Sequence, residues 1–144
     1  MVELYVERTI AAPPQAVFDW LAEPVNLTAA PLALRAGFTK GTSAAAAGVR
    51  RWVIGAGMWF EEEITAYDRP RSYSYLILRS LPPFNHEGGT LTFTPAGDGT
   101  HVGWHTVYGH PVYAGGKVLE ALSFRLLRSS FAAVLAGCAK ALER

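Results

Sequence analysis

The sequence predicts an α+β domain in which a long C-terminal helix covers one face of a curved antiparallel sheet. Three observations carry this prediction. The chain opens with alternating apolar and polar residues, about seventy residues from Arg35 onward alternate between strand patterns and turn signals, and the last segment repeats apolar residues every three or four positions. Elements in this order place the helices on one side of a sheet. We expect one domain over residues 1–144.

The N-terminal elements follow from local patterns. Apolar and polar side chains alternate over residues 2–10, which predicts a half-buried strand. A helix of about two to three turns follows, because Pro13 and Pro14 suit a first helical turn and an apolar stripe comes after them. Residues 23–34 contain two further prolines and predict only a broken helical turn.

The middle of the chain is predicted to be an antiparallel meander of six strands. These strands cover residues 35–41, 49–54, 58–67, 72–80, 89–95 and 100–109. The segment 42–48 is ambiguous, since its four alanines favour helix but span barely a turn. After Gly116 the apolar spacing predicts a helix of some 25 residues, about 37 Å long at 1.5 Å per residue.

Composition and charge limit the possible partners. The net charge is +1 and basic residues are scattered, so we expect no nucleic-acid partner. The single cysteine, Cys138, excludes an intramolecular disulfide, and its place in the apolar stripe of the last helix predicts a buried small hydrophobe. No signal-peptide pattern and no apolar run of ~20 residues is present, so we expect a cytoplasmic protein without a membrane span.

Four segments carry a resemblance to a known family. In order they are ERTIAAPPQAVFDWLAEPVN, GVRRW, EEITAYDRPRSYSYLI and GDGTHVGW. Together they resemble the polyketide cyclase/dehydrase branch of the START-like (SRPBCC) superfamily over nearly the whole chain. The resemblance implies the helix-grip fold, in which a curved seven-stranded sheet, two short helices and a long C-terminal helix enclose a hydrophobic cavity. It implies no single activity, because the superfamily includes lipid carriers, hormone sensors and cyclases.

Hairpin geometry assigns side chains to the two faces of the sheet. Residues directly opposite each other in an antiparallel pair share a face, and the loop between the strands fixes which residues are opposite. The Gly-Asp-Gly loop pairs Leu91 with Trp104. A three-residue turn between the second and third meander strands pairs Arg50 with Glu62, whereas one bulge would place Arg51 there instead.

The resulting inner face is aromatic and aliphatic but contains several polar groups. A buried unpaired polar group costs on the order of 1–3 kcal/mol, so the pattern predicts a ligand cavity rather than a solid core. One contact distinguishes a cavity from a solid core: Trp104 either touches Phe131 or is separated from it by a space. The predicted ligand-binding residues are Arg50, Trp52, Phe60, Glu62, Tyr73, Tyr75, Ile77, Arg79, Phe93, Trp104, Tyr108, Phe124, Leu127 and Phe131.

The position of the cavity mouth follows from the meander. Successive turns alternate between the two ends of the sheet, and the long proline-rich loops fall at one end, where an opening is expected. There, His86 is either a polar latch or an inert exposed loop histidine. The predicted mouth residues are Met58, Pro83, Phe84, His86 and Tyr113.

Most catalytic and metal chemistries have no support in the sequence. His101 and His105 share a face, but four residues along a strand separate them by about 13 Å, too far to ligate one ion. No serine lies in a nucleophile elbow. We therefore predict no metal and no cofactor.

Two functions from different classes remain, with a third behind them. The first is binding, sequestration or transport of a hydrophobic small molecule, such as a lipid, a polyketide or another aromatic compound. The second is a cyclase/dehydrase enzyme with Arg50, Glu62 and Tyr75 as candidate catalytic residues for aldol closure and loss of water. A regulator that binds a partner protein is the third. Binding is favoured because an arginine beside Glu62 would stabilise its charged form and make it a poor acid. The same pair has an equally good purely structural interpretation.

Overall fold

The structure is a computed structural model that describes residues 1–39 and 44–143. Its sheet has seven antiparallel strands in the order β1-β7-β6-β5-β4-β3-β2, so β2 to β7 form a continuous meander and β1 pairs with β7. This confirms the predicted fold class. The strands are β1 (Val2–Ile10), β2 (Ala33–Phe38), β3 (Arg50–Gly55), β4 (Met58–Asp68), β5 (Ser72–Leu81), β6 (Asn85–Ala96) and β7 (Gly99–Gly109).

The helices also follow the predicted order. Helix α1 (Pro14–Ala22) is followed by a 3₁₀-helix (Pro24–Ala29), a short 3₁₀-turn (Val112–Ala114) precedes the last helix, and α2 (Gly116–Leu142) ends the described chain. None of the helices in the described part of the chain combines the length and apolar character that a membrane crossing needs.

The alanine-rich segment does not form a helix where it is described. Residues 44–48 contain only a bend and a turn, and Gly48 ends the segment with a φ of 86°, which a helix cannot continue through. Ala45 packs against the core. Residues 40–41 of the predicted strand 35–41 and residues 42–43 of the alanine-rich segment lie outside the described residues.

Helix α1 and the closed end of the sheet form a solid core. Phe18 of α1 is fully buried and meets the rings of Tyr73 and Phe93 at centroid distances of 5.5 Å and 5.0 Å. Burying such a side chain stabilises the fold by about 2–3 kcal/mol. The predicted ligand-binding residues Tyr73 and Phe93 therefore lie in packed core, where α1 fills the space that a ligand would need.

Helix α2 packs closely on the rest of the protein only near its C-terminal end. The buried residues there recur at helical spacing and are Val134, Leu135, Cys138 and Ala139. Earlier in the helix, Ser123 is the one buried residue between Gly116 and Val134. The N-terminal two thirds of α2 thus leave space between the helix and the sheet.

The predicted register of the last hairpin is confirmed, because Leu91 pairs with Trp104 and Phe93 with Val102. The predicted register of β3 against β4 is wrong by one residue. Gly55 pairs with Met58, so the turn has two residues instead of three, and Arg51 rather than Arg50 stands opposite Glu62.

This correction moves two predicted site residues to the outer face of the sheet. Arg50 is exposed and pairs with Glu63 at 3.6 Å. Trp52 packs over Gly37 on the outer face and donates a hydrogen bond from Nε1 to the carbonyl of Phe38. A β-bulge between Glu61 and Glu62 has a similar effect on Arg79, which pairs with Glu61 outside the sheet. The predicted inward orientation of Arg50, Trp52 and Arg79 is therefore wrong.

Candidate functional site

A pocket of about 180 Å³ lies between the sheet and the N-terminal two thirds of α2. Its wall is largely apolar, with contributions from the sheet, the 3₁₀-helix and α2. Eight of the predicted ligand-binding residues line this space: Phe60, Glu62, Tyr75, Ile77, Trp104, Tyr108, Leu127 and Phe131. The other six do not line it: Arg50, Trp52 and Arg79 face outward, Tyr73 and Phe93 belong to the packed core, and Phe124 is half-buried on α2.

The pocket opens at the predicted end of the sheet, but some of the residues around its opening differ from the predicted ones. Of the predicted mouth residues, Met58, Phe84 and His86 line the pocket. Pro82 lines it instead of Pro83, and Tyr113 is 85% exposed and stands apart. Leu32 and Leu126 both line the pocket and are 40% and 54% exposed, so the opening lies beside these two leucines.

The Tyr75 hydroxyl is a buried polar group of the pocket wall. It accepts a hydrogen bond of 2.9 Å from Nε1 of Trp104, and the Tyr75 ring lies over Gly89, where any Cβ would overlap it. Thr106 is a second side-chain partner of this hydroxyl, which can both accept and donate. Burial, reinforced by the charge of Glu62, raises the pKa of Tyr75 above its ordinary value. Tyr75 is thus a neutral, buried hydrogen-bond donor.

Trp104 and Phe131 are in contact. Their rings stack at a centroid distance of 3.9 Å and an interplanar angle of 10°. The question raised by the sequence is therefore settled in favour of contact at this point. Both rings also line the pocket, so the stack forms part of its wall.

His86 is a fixed part of the pocket wall rather than an exposed loop residue. It lies in β6, its Nδ1 accepts the backbone N–H of Ile77 at 2.9 Å, and its Nε2 lies 2.8 Å from Oγ1 of Thr106. Because a backbone N–H can only donate, Nδ1 is unprotonated, and Nε2–H donates to Thr106. Thr106 in turn donates to the carbonyl of Gly88 at 3.1 Å. Burial lowers the pKa of His86 to about 4, so the ring is neutral near pH 7.

Arg51 and Glu62 form a buried ion pair at the pocket floor. Their side chains are 2% and 4% exposed. Arg51 also donates to the carbonyl of Ala22 at 3.3 Å, and Tyr73 donates to the carbonyl of Leu21 at 3.0 Å. Both carbonyls belong to the last turn of α1, where helical carbonyls lack partners and the helix dipole is negative. The pair therefore attaches α1 to the sheet.

The charge state of this pair follows from its surroundings. Burial raises the pKa of the Glu62 carboxyl, and the guanidinium of Arg51 opposes that shift. For Arg51, burial is the largest single influence and lowers the pKa, but the charge of Glu62, the nearby Tyr73 and the hydrogen bonds to both together outweigh it, so the net shift is upward. Arg51 is therefore charged, and its main protein contacts hold secondary-structure elements together.

Several lining residues were missed by sequence reasoning. Ser123, Ser130 and Val134 line the pocket from α2, at the spacing of one helix face shared with Leu127. Helical periodicity would have identified that face, but the two serines interrupt its apolar pattern. Residues of the 3₁₀-helix region, such as Leu27, carry no sequence signal because their place depends on the tertiary path after α1.

The fold occurs in proteins from distant organisms. The protein TTHA0849 of Thermus thermophilus is 21% identical, with 96% of this chain and 95% of that chain covered and a TM-score of 0.77. CV1439 of Chromobacterium violaceum is 15% identical, with 100% and 99% covered and a TM-score of 0.73. The major latex-like protein 151 of Panax ginseng is 14% identical, with 99% and 98% covered and a TM-score of 0.73. At these identities the likeness shows the fold alone.

Sequence comparison gives the family. A search of curated proteins found no significant match. A family model described as polyketide cyclase/dehydrase and lipid transport matches residues 1–143. This description supports binding of hydrophobic ligands in general and indicates no particular substrate. The chain belongs to the polyketide cyclase/dehydrase and lipid transport family.

Proposed function

We propose that this protein binds a hydrophobic small molecule of one or two rings that carries a hydrogen-bond acceptor such as a carbonyl oxygen. The observation that carries the proposal is the largely apolar pocket with a few buried polar groups in its wall, among them the Tyr75 hydroxyl beside Trp104. Apolar walls with a few placed polar groups are the usual form of a small-molecule site. Bound in this way, the ligand is held or carried without being changed.

The size of the pocket favours a ring-sized ligand. An apolar cavity of about 150 Å³ is known to bind benzene. At about 180 Å³, this pocket is slightly larger than that reference cavity. One ring fits, and a second fused ring can extend toward the mouth beside Leu32 and Leu126. A long acyl chain or a four-ring sterol needs considerably more volume.

The cyclase/dehydrase alternative loses its support from the geometry. Arg50, one of its candidate catalytic residues, lies on the outer face of the sheet. The Glu62 carboxylate is paired with Arg51, which also donates a hydrogen bond to the end of α1. Tyr75 keeps its proton because of burial, so it serves as a donor to a bound ligand. No observation on the described residues favours a partner-protein regulator.

Calorimetric titration with a series of ketones tests this function. Acetophenone has one ring, 1-tetralone two and anthrone three, and tetralin has the carbon skeleton of 1-tetralone without its carbonyl. We expect saturable one-to-one binding of 1-tetralone and no binding of anthrone or palmitate. A net hydrogen bond is worth about 0.5–1.5 kcal/mol, so 1-tetralone should bind roughly 2- to 10-fold more tightly than tetralin. Tyr75→Phe should remove that difference.

A pair of matched variants locates the binding. Val134→Phe places a larger side chain in the pocket, whereas Val118→Phe makes the same change on the same helix at a position that is 73% exposed. We expect Val134→Phe to abolish 1-tetralone binding and Val118→Phe to preserve it. Equal binding by both variants, or tighter binding of palmitate than of 1-tetralone, would contradict the proposed function.

A further inference from the structure

A second polar cluster borders the pocket on its helix side. His110 directly follows β7 and is buried, with Nδ1 2.6 Å from the carbonyl of Pro83 and Nε2 2.9 Å from Oγ of Ser123. A carbonyl oxygen can only accept a hydrogen bond, so Nδ1 carries a proton. In the neutral ring Nε2 is then an acceptor, and the Ser123 hydroxyl donates to it. Ser123 and His110 thus have the geometry of a nucleophilic serine paired with a histidine base. The carbonyl of Pro83 orients the other nitrogen of that histidine.

Tyr108 completes the cluster. Oγ of Ser123 lies 3.3 Å from the Tyr108 hydroxyl, which can accept a hydrogen bond from the serine, so the phenol keeps its own proton to donate. The carbonyl of Glu120 also lies 3.3 Å from Oγ, farther than the histidine nitrogen. Ser123 and Tyr108 both line the pocket, so the pair lies at the wall of the space that a bound molecule would occupy. Phe84 packs on the His110 ring at 4.5 Å and shields it from solvent.

We propose that Ser123 is a nucleophile that accepts acyl groups from small apolar esters bound in this pocket. Oγ of Ser123 bonds to the ester carbonyl carbon while its proton passes to Nε2 of His110. The hydroxyl of Tyr108 donates to the oxyanion that forms. The bond from that carbon to the alcohol oxygen then breaks, and the alcohol leaves with the proton held by His110. Water repeats the sequence on the acyl-serine, releasing the carboxylic acid and restoring the Ser123 hydroxyl.

This activity goes beyond the proposed binding function and uses a different set of polar residues. Tyr75 and His86 belong to the sheet wall, whereas Ser123 lies on α2. As for the proposed ligand, the pocket volume limits the size of the substrate. It favours esters whose acyl or aryl part is about one ring in size.

Labelling with phenylmethylsulfonyl fluoride tests the nucleophile directly. This single-ring reagent transfers its sulfonyl group to a reactive serine oxygen and releases fluoride, and intact-mass and peptide mass spectrometry identify the modified residue. We expect one adduct, on Ser123. Ser130 lines the same pocket from the same helix and has no histidine partner in the described part of the chain, so it should remain unmodified. Ser129→Ala, at an exposed position on the same helix outside the pocket lining, should label normally, whereas Ser123→Ala should not label.

Two further variants separate catalysis from a structural role. His110→Asn should slow the labelling of Ser123 by about 100-fold or more, since general-base assistance contributes 10²–10⁴. Tyr108→Phe changes a single hydroxyl and should slow the burst of p-nitrophenol from p-nitrophenyl acetate without loss of fold. It provides the test if His110→Asn fails to fold.

The same samples are titrated with 1-tetralone, which makes the outcomes distinguishable. Retained 1-tetralone binding without an adduct on Ser123, or with labelling insensitive to His110→Asn and Tyr108→Phe, would overturn the proposal. The cluster would then be only a clamp between α2 and the loop at Pro83. Loss of 1-tetralone binding in the unmodified protein would instead contradict the proposed binding function.

Discussion

Replacing Arg51 with methionine removes one partner of the buried ion pair while keeping a side chain of similar length. The change leaves the Glu62 carboxylate buried without its counter-charge and removes the donor to the Ala22 carbonyl at the end of α1. Breaking a buried pair in this way costs about 3–5 kcal/mol. Because folded domains are stable by only about 5–15 kcal/mol, such a loss is a large part of the total.

Thermal and urea unfolding measure the effect. For a domain of this size, 1 kcal/mol shifts the Tm by a few degrees, so Arg51→Met should lower the Tm by about 10 °C. The neighbouring residue provides the control. Arg50 is exposed and its contact with Glu63 is a surface pair, so Arg50→Met should cost less than about 1 kcal/mol.

A double substitution tests the cause of the loss. Arg51→Met combined with Glu62→Leu removes both charges, and the apolar pair should regain a substantial part of the stability lost in the single variant. Equal, small effects of Arg51→Met and Arg50→Met would refute the reasoning. They would show that the ion pair does not attach α1 to the sheet, and a role in ligand contact would become the better interpretation.

Three further predictions concern the pocket and its surroundings. Phe131→Ala should enlarge the pocket and allow anthrone to bind in calorimetric titration, whereas Phe124→Ala, a half-buried change outside the pocket lining, should not. Burial holds the pKa of His86 near 4 in the fold against an ordinary 6.5, so the unfolded chain binds the extra proton between these values. The free energy of unfolding should therefore fall as the pH drops from 6.5 toward 4, and less steeply in His86→Gln; equal slopes would contradict this. Burial raises the pKa of Cys138 to about 12, so a thiol reagent at pH 8 should label it only after unfolding, and fast labelling of the folded protein would oppose this assignment.

The sequence was sufficient for the sheet because its signals are local. Alternation and turn residues defined the meander, and the Gly-Asp-Gly loop placed Leu91 opposite Trp104 correctly. The same reasoning failed at β3 and β4, since the residues around Gly55 are compatible with a two- or three-residue turn. One residue of register exchanges the two faces, which is why Arg50 and Arg51 were interchanged.

The errors within the site have tertiary causes. Phe93 alternates inward as predicted, but Phe18 of α1 fills the space beneath it, and no strand pattern reveals where a helix will pack. The bulge that turns Arg79 outward occurs between two glutamates with no turn residue nearby. His110 and Ser123 are 13 residues apart and are brought together only by the path from β7 into α2. Polar residues of that kind give no signal until the fold places them side by side.

The indole N–H signals of the tryptophans offer the most direct measurement of the central claim, that the pocket binds a ring-sized hydrophobic molecule. The protein has four tryptophans, and Trp104 donates its N–H to Tyr75 at the pocket wall, whereas Trp52 packs on the outer face of the sheet. On titration with 1-tetralone followed by ¹H–¹⁵N NMR, the Trp104 signal should shift saturably and the Trp52 signal should stay in place. An unmoved Trp104 signal, or equal shifts at both residues, would contradict the account.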